Sequence, residues 1–178
     1  SGQPLQSAIT VVNNQTGAVV ALSGGIGEKT VNRGLVRATQ SLRPPGSSIK
    51  PISVYAPALE EGLITPYSAV DDTPFMINDG NPWPKNSSRS YSGLTSIYTA
   101  VIKSLNTCAV KTLDLVGLQT SYDYLENKFG IDSLVSYYEG SNGQVYSDVD
   151  YAPLALGGLT EGVSTYEMAG VCPERRLY

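Results

Sequence analysis

The chain has 178 residues, of which 41% are apolar and 16% are charged, a balance typical of one globular domain with a sizeable core. The net charge is -4 and no basic cluster occurs, so nucleic acid is excluded as a partner. The chain has no histidine, which excludes Ser-His-Asp and Cys-His machinery and removes the commonest ligand of a catalytic zinc site. We therefore expect no metal and no cofactor, and any nucleophilic chemistry must take its base from Lys, Glu, Asp or Tyr.

No apolar run reaches the roughly 18 residues that a membrane span requires, and residues 1–6 are too polar for a signal peptide. Two alternatives follow: a cytosolic protein, or a protein whose targeting segment has been removed. The two cysteines, Cys108 and Cys172, do not make a disulfide framework. Cys108 lies in an apolar run and is predicted to be a small buried hydrophobe.

The N-terminal residues predict a β-hairpin. Residues 7–12 and 18–22 are strands rich in β-branched side chains, joined by a turn at residues 13–17 in which Gly17 is suited to a positive φ. Residues 23–27 are glycine-rich. However, no lysine followed by serine or threonine opens a helix after them, so we do not assign this loop to phosphate binding.

Most of the remaining chain is predicted to be helical. A buried helix at residues 47–59 is interrupted by Pro51 and Pro57, and should therefore be short or kinked. Residues 65–89 contain four prolines and are predicted to form an ordered surface excursion. The other predicted helices are at residues 94–103, 109–116 and 120–129, with Gly117 and Gly130 as stops, and after the capping box of Ser164 and Glu167.

Ser47-Ser48-Ile49-Lys50 is the first motif with chemical content. Positions i and i+3 share a helix face, so Ser47 and Lys50 can meet. A lysine in a partly buried cleft has its neutral form favoured, and a neutral amine can take the proton of a neighbouring serine hydroxyl. A helix that starts at Ser47 also points its N–H groups at the place where an oxyanion would form. The alternative is a helix-capping serine followed by a solvated lysine.

Ser104-Leu105-Asn106 is the second motif. It falls between two helical patterns, where a loop can point both polar side chains the same way. A second serine can relay a proton between a lysine and a leaving group, and an asparagine amide can hold a substrate backbone. The alternative is that Ser104 or Asn106 caps the next helix.

The order and context of these motifs resemble the penicillin-binding protein family, and in particular its class A, bifunctional branch. The resemblance covers about residues 7–171. It rests on both motifs and on further segments: the hairpin at residues 8–22, Asn32-Arg33, residues 37–40 (RATQ), residues 156–164 (LGGLTEGVS) and residues 168–171 (MAGV).

The resemblance implies a D,D-transpeptidase in peptidoglycan cross-linking. Ser47 would attack a D-alanyl-D-alanine carbonyl or a β-lactam ring, Lys50 would be its base, Ser104 would relay protons and Asn106 would bind the acyl-donor peptide. The implied partners are peptidoglycan stem peptides and β-lactam antibiotics. The implied location is extracytoplasmic and membrane-anchored in the full-length family, although this chain shows no anchor.

The chain departs from the family in its third motif, because it contains no Lys-Thr-Gly. Lys29-Thr30 is followed by Val31, and Lys111-Thr112 by Leu113. We therefore expect residues 1–178 to be a C-terminally truncated domain, in which residues 172–178 form an atypical tail. The expected fold is an incomplete α+β penicillin-binding and serine β-lactamase-like fold: an N-terminal hairpin and a mainly helical subdomain without the C-terminal strands. Such a chain would be an impaired enzyme and would expose a sheet edge for self-association.

Three alternatives remain. A serine β-lactamase or D,D-carboxypeptidase relative would need a deacylating base, for which Glu161 and Glu167 are candidates by residue type. A non-catalytic, truncated binding or structural module is favoured by the missing third motif. The last alternative is an unrelated helical protein with chance motifs.

Overall fold

The structure, a computed structural model, describes residues 5–28 and 32–171. Residues 29–31, compared above with Lys-Thr-Gly, and the 172–178 tail lie outside the described residues. Within those ranges the fold is α+β, with an N-terminal hairpin followed by a mainly helical part, as predicted.

The strands are β1 (Ile9–Val12), β2 (Val19–Ser23), β3 (Ala69–Asp72), β4 (Met76–Asn78), β5 (Asn81–Trp83), β6 (Gly93–Ser96), β7 (Tyr138–Glu139) and β8 (Val145–Tyr146). The α-helices are α1 (Arg37–Gln40), α2 (Ala56–Glu60), α3 (Ile97–Ile102), α4 (Asn106–Val116), α5 (Leu118–Asp123), α6 (Tyr151–Leu156) and α7 (Thr165–Gly170).

The predicted N-terminal hairpin is confirmed. Strands β1 and β2 are antiparallel, with Ile9 opposite Ser23. The turn forms because the Asn13 side chain accepts hydrogen bonds from the next backbone N–H groups and Gly17 takes a φ of 71°. Among the described residues these two strands pair only with each other, so each keeps a free edge. The other strands pair in the same two-stranded, antiparallel way, β3 with β6, β4 with β5 and β7 with β8.

Residues 46–60 form one continuous helical segment with changing geometry. A 3₁₀ turn (Gly46–Ile49) is followed by a π-helical turn (Pro51–Tyr55) and then by α2. The prolines therefore change the helix type rather than end the helix. Each stands at the start of a new piece, where the missing N–H is tolerated.

The predicted helix at residues 94–103 begins too early. Residues 93–96 are strand β6, which pairs with β3 so that Ser96 lies opposite Ala69. The helix starts only at Ile97, because Ser96 caps it by accepting a hydrogen bond from the backbone N–H of Thr99 at 3.2 Å. Strand pairing across the 65–89 excursion thus overrides the helical spacing of the apolar residues.

Helix α4 is central to the hydrophobic core. It packs against α6 and the 46–60 segment, and Cys108 is fully buried on it, as predicted. The predicted glycine stops are also confirmed, with Gly117 and Gly130 both at positive φ. No helix in residues 5–28 and 32–171 has the length and apolar character to cross a membrane. The large side chains with full burial around α4 are Ile49, Val54, Val110, Leu113, Leu125, Ile131 and Leu154.

Candidate functional site

Lys50 is the centre of the candidate site. Its side chain leaves the 46–60 segment and only 2% of the residue is exposed. The amine donates to the carbonyl of Ser104 at 2.9 Å, to the hydroxyl of Ser104 at 3.2 Å and to Oδ1 of Asn106 at 2.6 Å. Three acceptors match the three donors of an ammonium group. The fold thus brings Lys50 together with two predicted residues that lie 54 and 56 positions later in the chain.

Burial shifts the titration of this amine. Removal of the charged form from water lowers the pKa of Lys50 from 10.5 to about 8. At neutral pH the neutral amine is therefore more populated than it would be in a solvated lysine. A neutral amine has a lone pair and can accept a proton, so the site holds a usable base.

Ser47 stands beside this lysine on the 3₁₀ turn. A 3₁₀ helix has three residues per turn, so positions 47 and 50 lie one above the other. The side chain of Ser47 is exposed, and within the described part of the chain we find no hydrogen bond to its hydroxyl. The neighbouring Ser48 differs, because its hydroxyl donates to the carbonyl of Pro45 at 2.7 Å. The amine of Lys50 is bonded to the second motif rather than to Ser47, which leaves the Ser47 hydroxyl open to a ligand.

Two glycines allow the serine turn to approach its neighbours. The N–H of Gly46 donates to the carbonyl of Gly157, which ends α6 at a φ of 75°. A Cβ at position 157 would lie 2.1 Å from the carbonyl oxygen of Gly46. Arg43 pairs with Val163 through two backbone hydrogen bonds, and a Cβ on Gly162 would lie 2.2 Å from the Arg43 backbone. The segment that carries Ser47 is therefore fixed by backbone contacts from residues 157–163.

The second motif forms the junction between α3 and α4. Ser104 is exposed and has a φ of 51°, a left-handed conformation that is uncommon for a residue other than glycine. Asn106 is the first residue of α4, and its Nδ2 donates to the carbonyl of Lys85 at 2.8 Å. Neither side chain caps the helix, since the cap position is Leu105. A cleft of about 310 Å³ opens beside Ser104, bounded by Leu105 and the serine-rich 86–92 segment.

Sequence reasoning missed two residues: Asn86, which bonds to Asn106 of the second motif, and Asp72, which bonds to Asn86 and to the next residue of α4, Thr107. Asn86 Oδ1 accepts from the backbone N–H of Asn106 at 2.8 Å, and Asn86 Nδ2 donates to Asp72 at 2.7 Å. Both residues are buried. The sequence offers no signal that sets these two residues apart, because the proline-rich 65–89 segment contains three aspartates and three asparagines.

Glu161 and Glu167, considered above as deacylating bases, both lie outside the site formed by Lys50 and the second motif. Burial alone would raise the pKa of Glu167, but hydrogen bonds from Ser164 and Ser133 hold it below its ordinary value. One of its carboxylate oxygens accepts from Ser164 in the predicted capping box, and the other accepts from the backbone N–H of Ser133. Glu167 therefore caps helix α7. Glu161 lines a separate cleft of about 680 Å³ with Tyr138 and Tyr146, and this cleft includes none of the four candidate residues.

Comparison with known proteins identifies one family to which the chain is similar. The family model for the penicillin binding protein transpeptidase domain matches residues 7–172. Penicillin-binding protein 1F of Bacillus subtilis is 35% identical over 168 residues, which cover 94% of this chain and 21% of that protein. The crystal structure of penicillin-binding protein 1A from Haemophilus influenzae superposes with a TM-score of 0.69 at 30% identity, covering 92% of this chain and 22% of that one. The PonA1 protein from Mycobacterium tuberculosis, solved in complex with penicillin V, gives a TM-score of 0.69 at 25% identity, covering 93% of this chain and 42% of that one.

The chain therefore belongs to the penicillin-binding protein transpeptidase domain family. The likeness to penicillin-binding proteins 1F and 1A confirms the resemblance to the class A branch. The chain spans about a fifth of the length of the curated relative.

Proposed function

We propose that this chain carries the acylation half of a D,D-transpeptidase site. The hydroxyl of Ser47 attacks the carbonyl carbon of a D-alanyl-D-alanine bond, and its proton passes to the neutral amine of Lys50. When the C–N bond breaks, the leaving amine takes a proton by way of Ser104, and an acyl-Ser47 ester remains. The amine of a second stem peptide then attacks this ester and frees the hydroxyl.

One observation supports this proposal most strongly. A buried lysine amine lies 3.2 Å from an exposed serine hydroxyl and one 3₁₀ turn from a second one, and its pKa is lowered to about 8. A solvated lysine after a capping serine, which was the alternative for this motif, would have neither the burial nor the lowered pKa. Stem peptides and β-lactams are the partners that this chemistry fits, and Asn106 is the proposed contact for the peptide backbone.

Intact mass after incubation with benzylpenicillin tests the proposal. We expect a slow increase equal to one benzylpenicilloyl group, and peptide mapping should place the adduct on Ser47. Ser48 is the internal control, because it is one residue away and already donates to a backbone carbonyl. An adduct on Ser48, or on Lys50, would contradict the assigned roles.

We expect acylation to be slow because the sequence contains no Lys-Thr-Gly. In the family this motif lies on a strand that supplies the second oxyanion N–H, and removal of one oxyanion donor costs roughly 10²–10³ in rate. Stoichiometric labelling within minutes would contradict this expectation. We place the site on the outer side of the cytoplasmic membrane in a longer, anchored protein, by analogy with the family.

A non-catalytic binding or structural module is the second candidate function. The absent third motif favours it, and complete absence of a benzylpenicillin adduct under saturating conditions would support it. The β-lactamase alternative is disfavoured, since Glu167 is committed to a helix cap. Nitrocefin turnover that continues after one equivalent would revive it.

Self-association is expected through the N-terminal hairpin. Its outward side chains include Ile9, Val11 and Val20, which are 57%, 44% and 62% exposed, and both strands have a free edge within the described residues. Sedimentation velocity should show larger species as the concentration rises, and Val20→Lys should reduce them because a charged edge opposes pairing. Leu63→Lys, at an exposed position after α2, is the control. Equal effects of the two variants would argue against the hairpin.

A further inference from the structure

Asp72 is a fully buried carboxylate with no ion-pair partner among the described residues. It accepts hydrogen bonds from Nδ2 of Asn86 at 2.7 Å, from the backbone N–H of Ser92 at 2.8 Å and from the hydroxyl of Thr107. Burial alone would raise the pKa of Asp72, but these donors hold it below its ordinary value. The charge is therefore retained, and a retained buried charge fixes the orientation of the groups around it.

Asn86 converts that fixed orientation into a helix cap. Its Nδ2 faces the carboxylate of Asp72 and the carbonyl of Ser90, so its Oδ1 must face the other way. Oδ1 accepts from the backbone N–H of Asn106 at 2.8 Å and from that of Thr107 at 3.4 Å. These are the first N–H groups of α4, whose own cap residue, Leu105, contributes no side-chain hydrogen bond. The cap of this helix thus comes from a residue 20 positions earlier.

One of the two capped residues, Asn106, also contacts the lysine. Asn106 receives the cap at its backbone N–H, while its side chain accepts from Lys50 through Oδ1 and donates to the carbonyl of Lys85 through Nδ2. Lys85 directly precedes Asn86, so the same short segment holds Asn106 at both its backbone and its side chain. A continuous run of hydrogen bonds therefore leads from Asp72 through Asn86 and Asn106 to the amine of Lys50.

We propose that Asp72 and Asn86 are positioning residues for the acylation site: they fix the start of α4 so that Asn106 and Ser104 hold the amine of Lys50 in place. The inference rests on the proposed function for its catalytic consequence. The claim that Asp72 and Asn86 control the surroundings of Lys50 does not depend on that function, and it can be measured without a substrate.

The direct measurement is the titration of Lys50, followed by NMR of the intact chain with ¹³C-labelled lysine. Asn86→Ala removes the cap without changing the charge. We expect Asn106 to loosen, water to reach the amine and the pKa of Lys50 to rise from about 8 by about one unit or more. The rate of benzylpenicillin acylation should fall by about 10²-fold, since misplacement of about 1 Å has an effect of that size.

Ser164→Ala is the matched control. It also removes a helix cap without changing the charge, in this case from α7. It should lower the melting temperature by a similar amount and leave the pKa of Lys50 unchanged. If both variants raise that pKa equally, or if Asn86→Ala leaves it unchanged, the positioning role is wrong.

A charge exchange keeps the test decisive if Asn86→Ala does not fold. Asp72→Asn together with Asn86→Asp reverses the hydrogen bond between the two side chains and conserves both the net charge and the side-chain shapes. A carboxylate at position 86 can still accept from the N–H groups of Asn106 and Thr107. We expect the pKa of Lys50 to return part of the way to its original value. Rescue is partial because the carbonyl of Ser90 loses its donor and the hydroxyl of Thr107 loses its acceptor. A double variant no better than Asp72→Asn alone would overturn the proposal.

The two hypotheses fail in different ways. If no variant and no wild-type chain is acylated, but the pKa of Lys50 responds as described, the proposed function is wrong and the positioning network stands. If the wild-type chain is acylated and neither its rate nor the Lys50 titration responds to Asn86→Ala, the network is wrong and the proposed function stands.

Discussion

Lys50→Met is expected to abolish acylation of Ser47 while the chain still folds. The substitution removes the proposed base, and loss of a positioned general base lowers a rate by about 10²–10⁴-fold. Because acylation of the wild-type chain is already expected to be slow, we expect no measurable adduct. The fold should survive because the lowered pKa of the buried amine, from 10.5 to about 8, corresponds to roughly 3 kcal/mol that the native state loses at neutral pH. Methionine removes this penalty. Three oxygens lose the lysine as their donor, but the two on the exposed Ser104 can bond to water, so the remaining cost is mainly that of Asn106 Oδ1, about 1–3 kcal/mol.

The same amine sets the pH dependence of the wild-type chain. Only the neutral form accepts a proton, so the acylation rate should rise with pH and level off above the pKa of about 8. The stability has a related dependence. The unfolded lysine binds its proton up to 10.5 and the folded one only up to about 8. The unfolded state therefore holds more protons in this window, and the contribution of Lys50 to stability rises with pH there. An acylation rate that falls between about pH 7 and 9 would contradict the assignment of Lys50 as base.

Lys111→Met is the matched control for Lys50→Met. Lys111 is a partly buried lysine on α4, less buried than Lys50, and its amine donates to Asp71 and Thr73, away from both motifs. Its loss should leave the rate and the pH profile of acylation unchanged. Equal losses in the two variants would show that a general weakening of the core, rather than loss of a base, lowers the rate.

Gly157→Ala is expected to destabilise the chain severely and to disorganise the serine turn. Position 157 has a φ of 75°, and the left-handed conformation costs a residue with a Cβ about 1–2 kcal/mol. In addition, the new Cβ would lie 2.1 Å from the carbonyl oxygen of Gly46. That oxygen is backbone and cannot rotate away, so the turn that carries Ser47 must move. We expect a total loss of about 4 kcal/mol or more, an effect of the size seen for severe strain and overpacking.

Gly143→Ala separates the two causes. Gly143 has nearly the same φ, 74°, in the turn between β7 and β8, but a Cβ there would meet nothing within 4 Å. Chemical denaturation should show a loss of only about 1–2 kcal/mol for this variant, the backbone strain alone. Benzylpenicillin acylation should be unaffected. If Gly143→Ala and Gly157→Ala lower the free energy of unfolding by similar amounts, the close approach of position 157 to Gly46 does not contribute to the destabilisation.

The parts of the fold that sequence predicted well are those stabilised by local contacts. The N-terminal turn depends on Asn13 and Gly17, which are four residues apart, and the start of α7 depends on Ser164 and Glu167. In both cases the interacting groups lie within one turn of chain, so residue type and spacing contain the necessary information. The N-terminal boundary of α3 was wrong because it is set by pairing of β6 with β3, about 25 residues earlier.

The candidate site was predictable to the extent that its members belong to motifs. The spacing of Ser47 and Lys50 placed them on one helix face, and the interruption between two helical patterns placed Ser104 and Asn106 in a junction. The contact between the two motifs could not be derived from spacing, because it depends on how the 46–60 segment packs against α4. Asp72 and Asn86 were missed for the same reason: their partners on α4 are 20 to 35 residues away.

The backbone contacts that fix the serine turn have a consequence for the order in which the molecule is built. Arg43 and Gly46 are bonded to Val163 and Gly157, roughly 110 to 120 residues later in the chain. During synthesis the contacts that give the Ser47 turn its shape become possible only after residues 157–163 have been added to the chain. Since such distant pairings form late in folding, we expect the turn that carries Ser47 to reach its final geometry only once residues 157–163 have docked against it.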